Sequence, residues 1–187
     1  GSRPIVAEIQ ALVTQTAFPA PRRTSNGIDY NRTCLILAVL EKRLGLKFYQ
    51  NDVYMNVVGG LRLIEPSADL SAVLALISSI KDIPLPNDFI AFGELGLSGE
   101  CRAVSNLEQR VKEAARLGFT KAVIPAKNIE KSNFERPFIK TYYGRVILSS
   151  RIIHFLIHRL IKTRMPRFHP QHPGSILNLY GSVKEYG

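Results

Sequence analysis

The sequence predicts an α/β domain built in two layers. Apolar residues fill 45% of its 187 positions, enough for a globular core. Alternating, β-branched stretches take turns with stretches of helical period, in the order strand, helix, strand, helix, hairpin, helix, strand. No run of 18 apolar, charge-free residues occurs, so no membrane span and no membrane partner is expected.

Each element has a local reason. RPIVAEIQALVT (3–14) is rich in β-formers and partly alternating, which predicts a strand. Residues 15–30 carry Pro19, Pro21, Asn26 and Gly27, which predicts a long loop. Residues 31–45 show helical spacing at Leu35, Val39 and Leu40, with Gly45 as the stop. DVYMNVVGGLRL (52–63) predicts a strand bent or bulged at Gly59 and Gly60. Residues 67–80 are almost wholly apolar at helical length, which predicts a helix buried on several sides. Residues 88–104 predict two strands joined by a Gly-rich turn. NLEQRVKEAARLG (106–118) predicts an amphipathic helix stopped by Gly118, and KAVIP (121–125) a short buried strand.

Charge divides the chain. Residues 131–187 hold 10 of the 25 Lys/Arg, 2 of the 15 Asp/Glu and all four histidines, a net charge of +8 against +2 for the rest. Three parts are expected: Gly1 and Ser2 as a protease-cleavage scar with no natural start or signal peptide, residues 3–130 as the folded domain, and residues 131–187 as a basic tail. Within the tail, 145–164 has the spacing of a basic amphipathic helix, able to touch nucleic acid, an anionic surface, the core or a neighbouring subunit. His154 and His158 stand at i, i+4 without a third ligand, so no metal is expected there. Cys34 and Cys101 read as buried, reduced thiols of a cytoplasmic protein.

Four stretches carry a resemblance: RPIVAEIQALV, PRRTSNGIDYNR, GGLRLIEPSADLSAVLALISS and FGELGLSGECRAVSNLEQRVKEAARLGFTKAVIPAKN. In order and spacing they resemble the C-terminal, Lon protease-like domain of the RadA (Sms) family of bacterial RecA-like ATPases of DNA repair and recombination. The resemblance covers about residues 3–130. It implies the fold of the Lon proteolytic domain, which is also that of the second domain of ribosomal protein S5. The tail does not look like the family's usual ending. It is foreign sequence, a lineage-specific extension or a divergent version of that ending.

Lon-type peptidases carry their serine in a Gly-Pro-Ser-Ala-Gly turn and their lysine in Gly-Gly-Leu-Lys-Glu-Lys. The matching stretches here are Glu65-Pro66-Ser67-Ala68-Asp69 and Ser105-Asn106-Leu107-Glu108-Gln109-Arg110. The resemblance therefore places Ser67 at the nucleophile and Glu108 at the lysine. A serine hydroxyl needs a base to take its proton. A carboxylate at 108, with Glu65 and Asp69 flanking the turn, would repel a developing oxyanion. Lys112 lies one turn too far along the helix. The site is expected to be a degenerate, pseudo-protease site, with Ser67 serving instead as the N-cap of the following helix. An active Ser-Lys peptidase using Ser67 is the alternative.

The resemblance also implies a ring-forming, hexameric homo-oligomer that contacts DNA. With a core charge of only +2, affinity would come from placed arginines repeated around the ring. The candidates are Arg3, Arg22, Arg23, Arg62 and Arg102, whose guanidinium groups suit phosphates. No base-reading motif occurs, so binding is expected to ignore sequence. A pure oligomerisation module without DNA contact is the other alternative. The chain lacks Gly-x-x-x-x-Gly-Lys-Ser/Thr and any four-cysteine spacing. ATP and zinc are thus expected only in the N-terminal part of such a protein, and this chain by itself is expected not to be an enzyme.

Overall fold

A computed structural model describes residues 4–130, 140–144 and 177–184. The α/β expectation holds. The long first strand, β1 (Pro4–Gln15), pairs antiparallel with β3 (Asn51–Val57). A mixed sheet grows from this pair. β2 (Arg23–Asn26) flanks β3 in parallel at one edge, while β4 (Phe89–Ala91), β7 (Lys121–Pro125) and β8 (Lys140–Gly144) run parallel to one another at the other. The strand β9 (Leu177–Lys184) joins the halves, antiparallel to β1 and parallel to β4. The order across the sheet is β2-β3-β1-β9-β4-β7-β8.

Helix α1 (Tyr30–Leu44) begins where the sequence supplies a cap: Asp29 accepts the N–H of Arg32 at 2.8 Å. It ends at Gly45, whose φ of 65° gives the left-handed turn. Helix α2 (Asp69–Lys81) is buried without a break from Asp69 to Ser78. Its serines bind locally rather than face water. Ser71 donates to the carbonyl of Ala91 at 2.8 Å, and the Ser79 hydroxyl accepts the N–H of Val13 at 2.9 Å. Ala7, Ile9 and Ala11 of β1, with Val53, Met55 and Val57 of β3, pack with α1 and α2 in one core. Val6, Ile90, Ala122 and Ile124, at the alternate strand positions, pack with Leu107, Val111 and Ala114 of helix α3 (Leu107–Arg116) in a second.

Three expectations need correction. The loop over 15–30 contains β2, a four-residue edge strand too polar and too short to show an alternating pattern. The strand expected over 52–63 ends at Val57. Gly59 and Gly60 take φ of 82° and 70°, which breaks the ladder, and the chain returns to the sheet only at the single parallel bridge of Leu63 to Ile28. The hairpin is also shorter than expected. It consists of β5 (Glu94–Leu95) and β6 (Cys101–Arg102), while β4 belongs to the main sheet. The proposed tail helix over 145–164, with His154 and His158, and Arg3 lie outside the described residues.

Candidate functional site

The turn from Glu65 to Asp69 is built into the core. Pro66 opens a short 3-10 turn over Pro66–Ala68, with the N–H of Asp69 bonded to the carbonyl of Pro66. Gly93, in the link between β4 and β5, clamps this turn: its N–H donates to Ser67 O at 2.8 Å, and its carbonyl accepts the N–H of Leu70 at 3.0 Å. A Cβ on Gly93 would meet Cys101 Sγ at 2.4 Å, so the close approach depends on glycine. Ser67 is 3% exposed. It is not the helix N-cap, which corrects the sequence expectation. The 3-10 turn moves the start of α2 two residues on, and Ala68 holds the cap position.

Ser67 and Glu108 do not face each other as a pair. Glu108 is 64% exposed and accepts a bond from Lys112 Nζ at 2.6 Å on the outer side of α3. The α3 residue that reaches the turn is Arg110. It is 0% exposed, is ion-paired with Glu65, and donates from Nε to the carbonyl of Ser105 at 2.9 Å. In the six-residue Lon match, the second lysine falls on Arg110. A guanidinium holds its proton and cannot serve as the general base for a serine. Sequence reasoning missed Arg110, yet a signal was present. Positions 107, 110, 111 and 114 share one helical face, and three of them are apolar.

A second ion pair holds the other side of the turn. Arg32 of α1 donates Nε to Asp69 Oδ1 at 2.9 Å and binds Asp69 Oδ2 through its terminal nitrogen, which also donates to the carbonyl of Leu95 at 2.9 Å. The N–H of Leu95 completes the shell on Asp69 at 2.9 Å. Burial pushes the Asp69 carboxyl above its ordinary range, against the downward pull of Arg32 and the Leu95 N–H. Between α1, the start of α2 and residues 60–66 lies a cleft of about 600 Å³. Its shape depends on Gly27, where φ is +82° and a Cβ would stand 2.5 Å from the carbonyl oxygen of Leu61 and 2.6 Å from Val57 Cβ. Gly27→Ala is expected to destabilise the fold by roughly 2 kcal/mol or more, read as a lower urea midpoint with an unchanged slope.

The structure separates the candidate arginines. Arg23 is consumed: its guanidinium donates to the carbonyls of Arg22 at 2.9 Å, Asn51 at 2.5 Å and Phe48 at 2.7 Å, tying β2 to β3. Arg102 sits between Glu94 and Glu100. The Ser98 hydroxyl and Arg102 in turn hold the Glu100 carboxyl down at about 2. Arg22 and Arg62 are exposed and form no ion pair among the described residues. Arg22 lies over the ring of Phe18, 3.8 Å from its centroid. Burial pushes the Cys101 thiol up to about 12, which leaves it an unreactive thiol. No group of three metal-ligating side chains occurs among the described residues, and no helix among them is long and apolar enough to cross a membrane.

Residues 33–128 match the family model described as subunit ChlI of Mg-chelatase. The chain is also 53% identical over 131 residues to the DNA repair protein RadA of Bacillus subtilis, covering 70% of this chain and 28% of that protein. Against DNA repair protein RadA of Escherichia coli the figures are 47%, 70% and 28%, and against that of Streptococcus pneumoniae 50%, 69% and 31%. The chain belongs to the ChlI family and is similar over most of its length to RadA proteins. It spans a little over a quarter of the length of the RadA proteins it matches. The match overturns the expectation of a non-enzyme. The family model is named for a subunit of an enzyme, and the RadA relatives share the region, which points to an enzyme-like part. The physical reason is that positions 67 and 108 bear on peptide hydrolysis alone. They do not decide whether the larger protein is a catalyst.

Proposed function

We propose that this chain contributes a ring-forming, sequence-independent DNA contact to a RadA-type DNA repair and recombination protein of the cytoplasm. The observation that carries the reading is the pair of exposed arginines, Arg22 and Arg62, which form no ion pair among the described residues. Arg22 stacks on Phe18, which is 47% exposed, so a planar cation and an aromatic face stand together on the surface. That combination suits a phosphate beside an unstacked base. Two contacts per chain bind weakly, and repetition around a ring raises them to useful avidity. In this reading ATP and zinc are bound by other parts of the longer protein.

The test is a titration of labelled single-stranded and duplex DNA at rising salt, with wild type and an Arg22→Ala/Arg62→Ala variant. The variant is expected to bind more weakly, with a salt slope smaller by about 2. Equal affinity and equal slope would overturn the DNA contact. Light scattering with and without DNA reports the ring, and a monomer under both conditions would overturn that part.

A further inference from the structure

We infer that the cleft beside residues 60–66 takes one unpaired nucleobase of a bound DNA strand, with Ile64 as the wedge that displaces it. This rests on the DNA contact proposed above and names what that contact does. Ile64 is 83% exposed, the most exposed of the large apolar side chains among the described residues. Its loop is held on both sides. Leu63 is 9% exposed, donates its N–H to the carbonyl of Gly27 at 2.7 Å and bridges to Ile28. Glu65 is ion-paired with the buried Arg110. Ile64 is therefore an apolar tip fixed between two anchors, and Arg62 stands two residues away as an exposed cation. Apolar side chains of this type, flanked by basic ones, enter base steps and unstack them.

An unstacked base needs somewhere to go, and the cleft adjoins the tip. Its volume of about 600 Å³ lies within the range of small-molecule sites. Ile28, Ile36, Leu63, Pro66 and Ala72 give it apolar walls. Of its three bordering carboxylates, which would repel a DNA strand if bare, two are neutralised by ion pairs, and the third, the exposed Asp29, accepts a backbone N–H. Asp69 is paired with Arg32, Glu65 with Arg110, and Asp29 caps α1. Arg62, also lining the cleft, offers its charge to the backbone of the strand whose base has entered. Aliphatic walls take any base face, which agrees with binding that ignores sequence.

The experiment uses the 187-residue chain and a duplex with 2-aminopurine at one unpaired position. Wild type is expected to raise the probe's emission severalfold on binding, and acrylamide is expected to quench the bound probe less than the free one. Ile64→Ala, at an exposed position, is expected to bind DNA but lose the rise, and Ile64→Leu to restore it. Binding with unchanged emission overturns base capture and leaves the DNA contact standing. An equal rise with Ile64→Ala overturns the wedge. Unshielded quenching overturns the cleft as the receiving site. No binding at all overturns this inference together with the reading beneath it.

Discussion

Arg110→Ala is expected to destabilise the domain by about 3–5 kcal/mol, the usual cost of breaking a buried charge pair by removing one member. Arg110 is fully buried and is the bridge between α3 and the Glu65 turn. Its removal takes the ion pair from the Glu65 carboxylate, leaves the carbonyl of Ser105 without the Nε donor, and opens a hole where the largest fully buried side chain among the described residues had been. Urea unfolding measures the effect. Glu108→Ala on the same helix is the control. Among the described residues its carboxylate is paired with the exposed Lys112 alone, and its loss should change stability by less than about 0.5 kcal/mol. Equal midpoints for the two variants would show that Arg110 does not anchor the turn.

Arg32→Ala is the second large effect, about 3 kcal/mol near neutral pH, because it leaves Asp69 charged and buried. This deficit carries a pH signature. Burial already holds the Asp69 carboxyl above its ordinary value, and Arg32 is the leading group pulling it down. Without Arg32 the carboxyl rises further. A carboxyl whose folded value exceeds its unfolded value takes up its proton more readily in the folded state. It favours folding below its unfolded value and loses that contribution as pH climbs through the folded one. The gap between variant and wild type should therefore narrow as pH falls toward about 4. Urea midpoints measured across this range report it, and a gap constant with pH would refute the stranded charge.

How much of this was legible depends on what each residue signals locally. The three long helices were readable because Asp29, Gly45 and the apolar spacing of 107, 111 and 114 act over a few residues. The α2 helix was readable from composition, since ten consecutive positions are buried. The edge strand β2 was not, because Arg23 to Asn26 carry no apolar residue and are held by pairing and by Arg23's bonds to distant carbonyls. The site was half legible. Resemblance pointed to the Ser67 turn, but motif alignment alone paired it with Glu108, whereas the helical face put Arg110 inward and Glu108 outward. Arg32 was overlooked for a similar reason. Its place on the Ile36–Leu40 stripe is visible in the sequence, but its partner lies 37 residues away.

The unbroken burial of α2 also bears on how the protein fails when heated. A helix with no wet side cannot peel away as an amphipathic one can, because every orientation presents Leu70, Val73, Leu74, Leu76 and Ile77 to solvent. Partial opening thus yields a sticky species at once, and clumping competes with recovery. Heat inactivation should then follow a rate that quickens with protein concentration, with the useful lifetime set by the barrier to lifting this one segment.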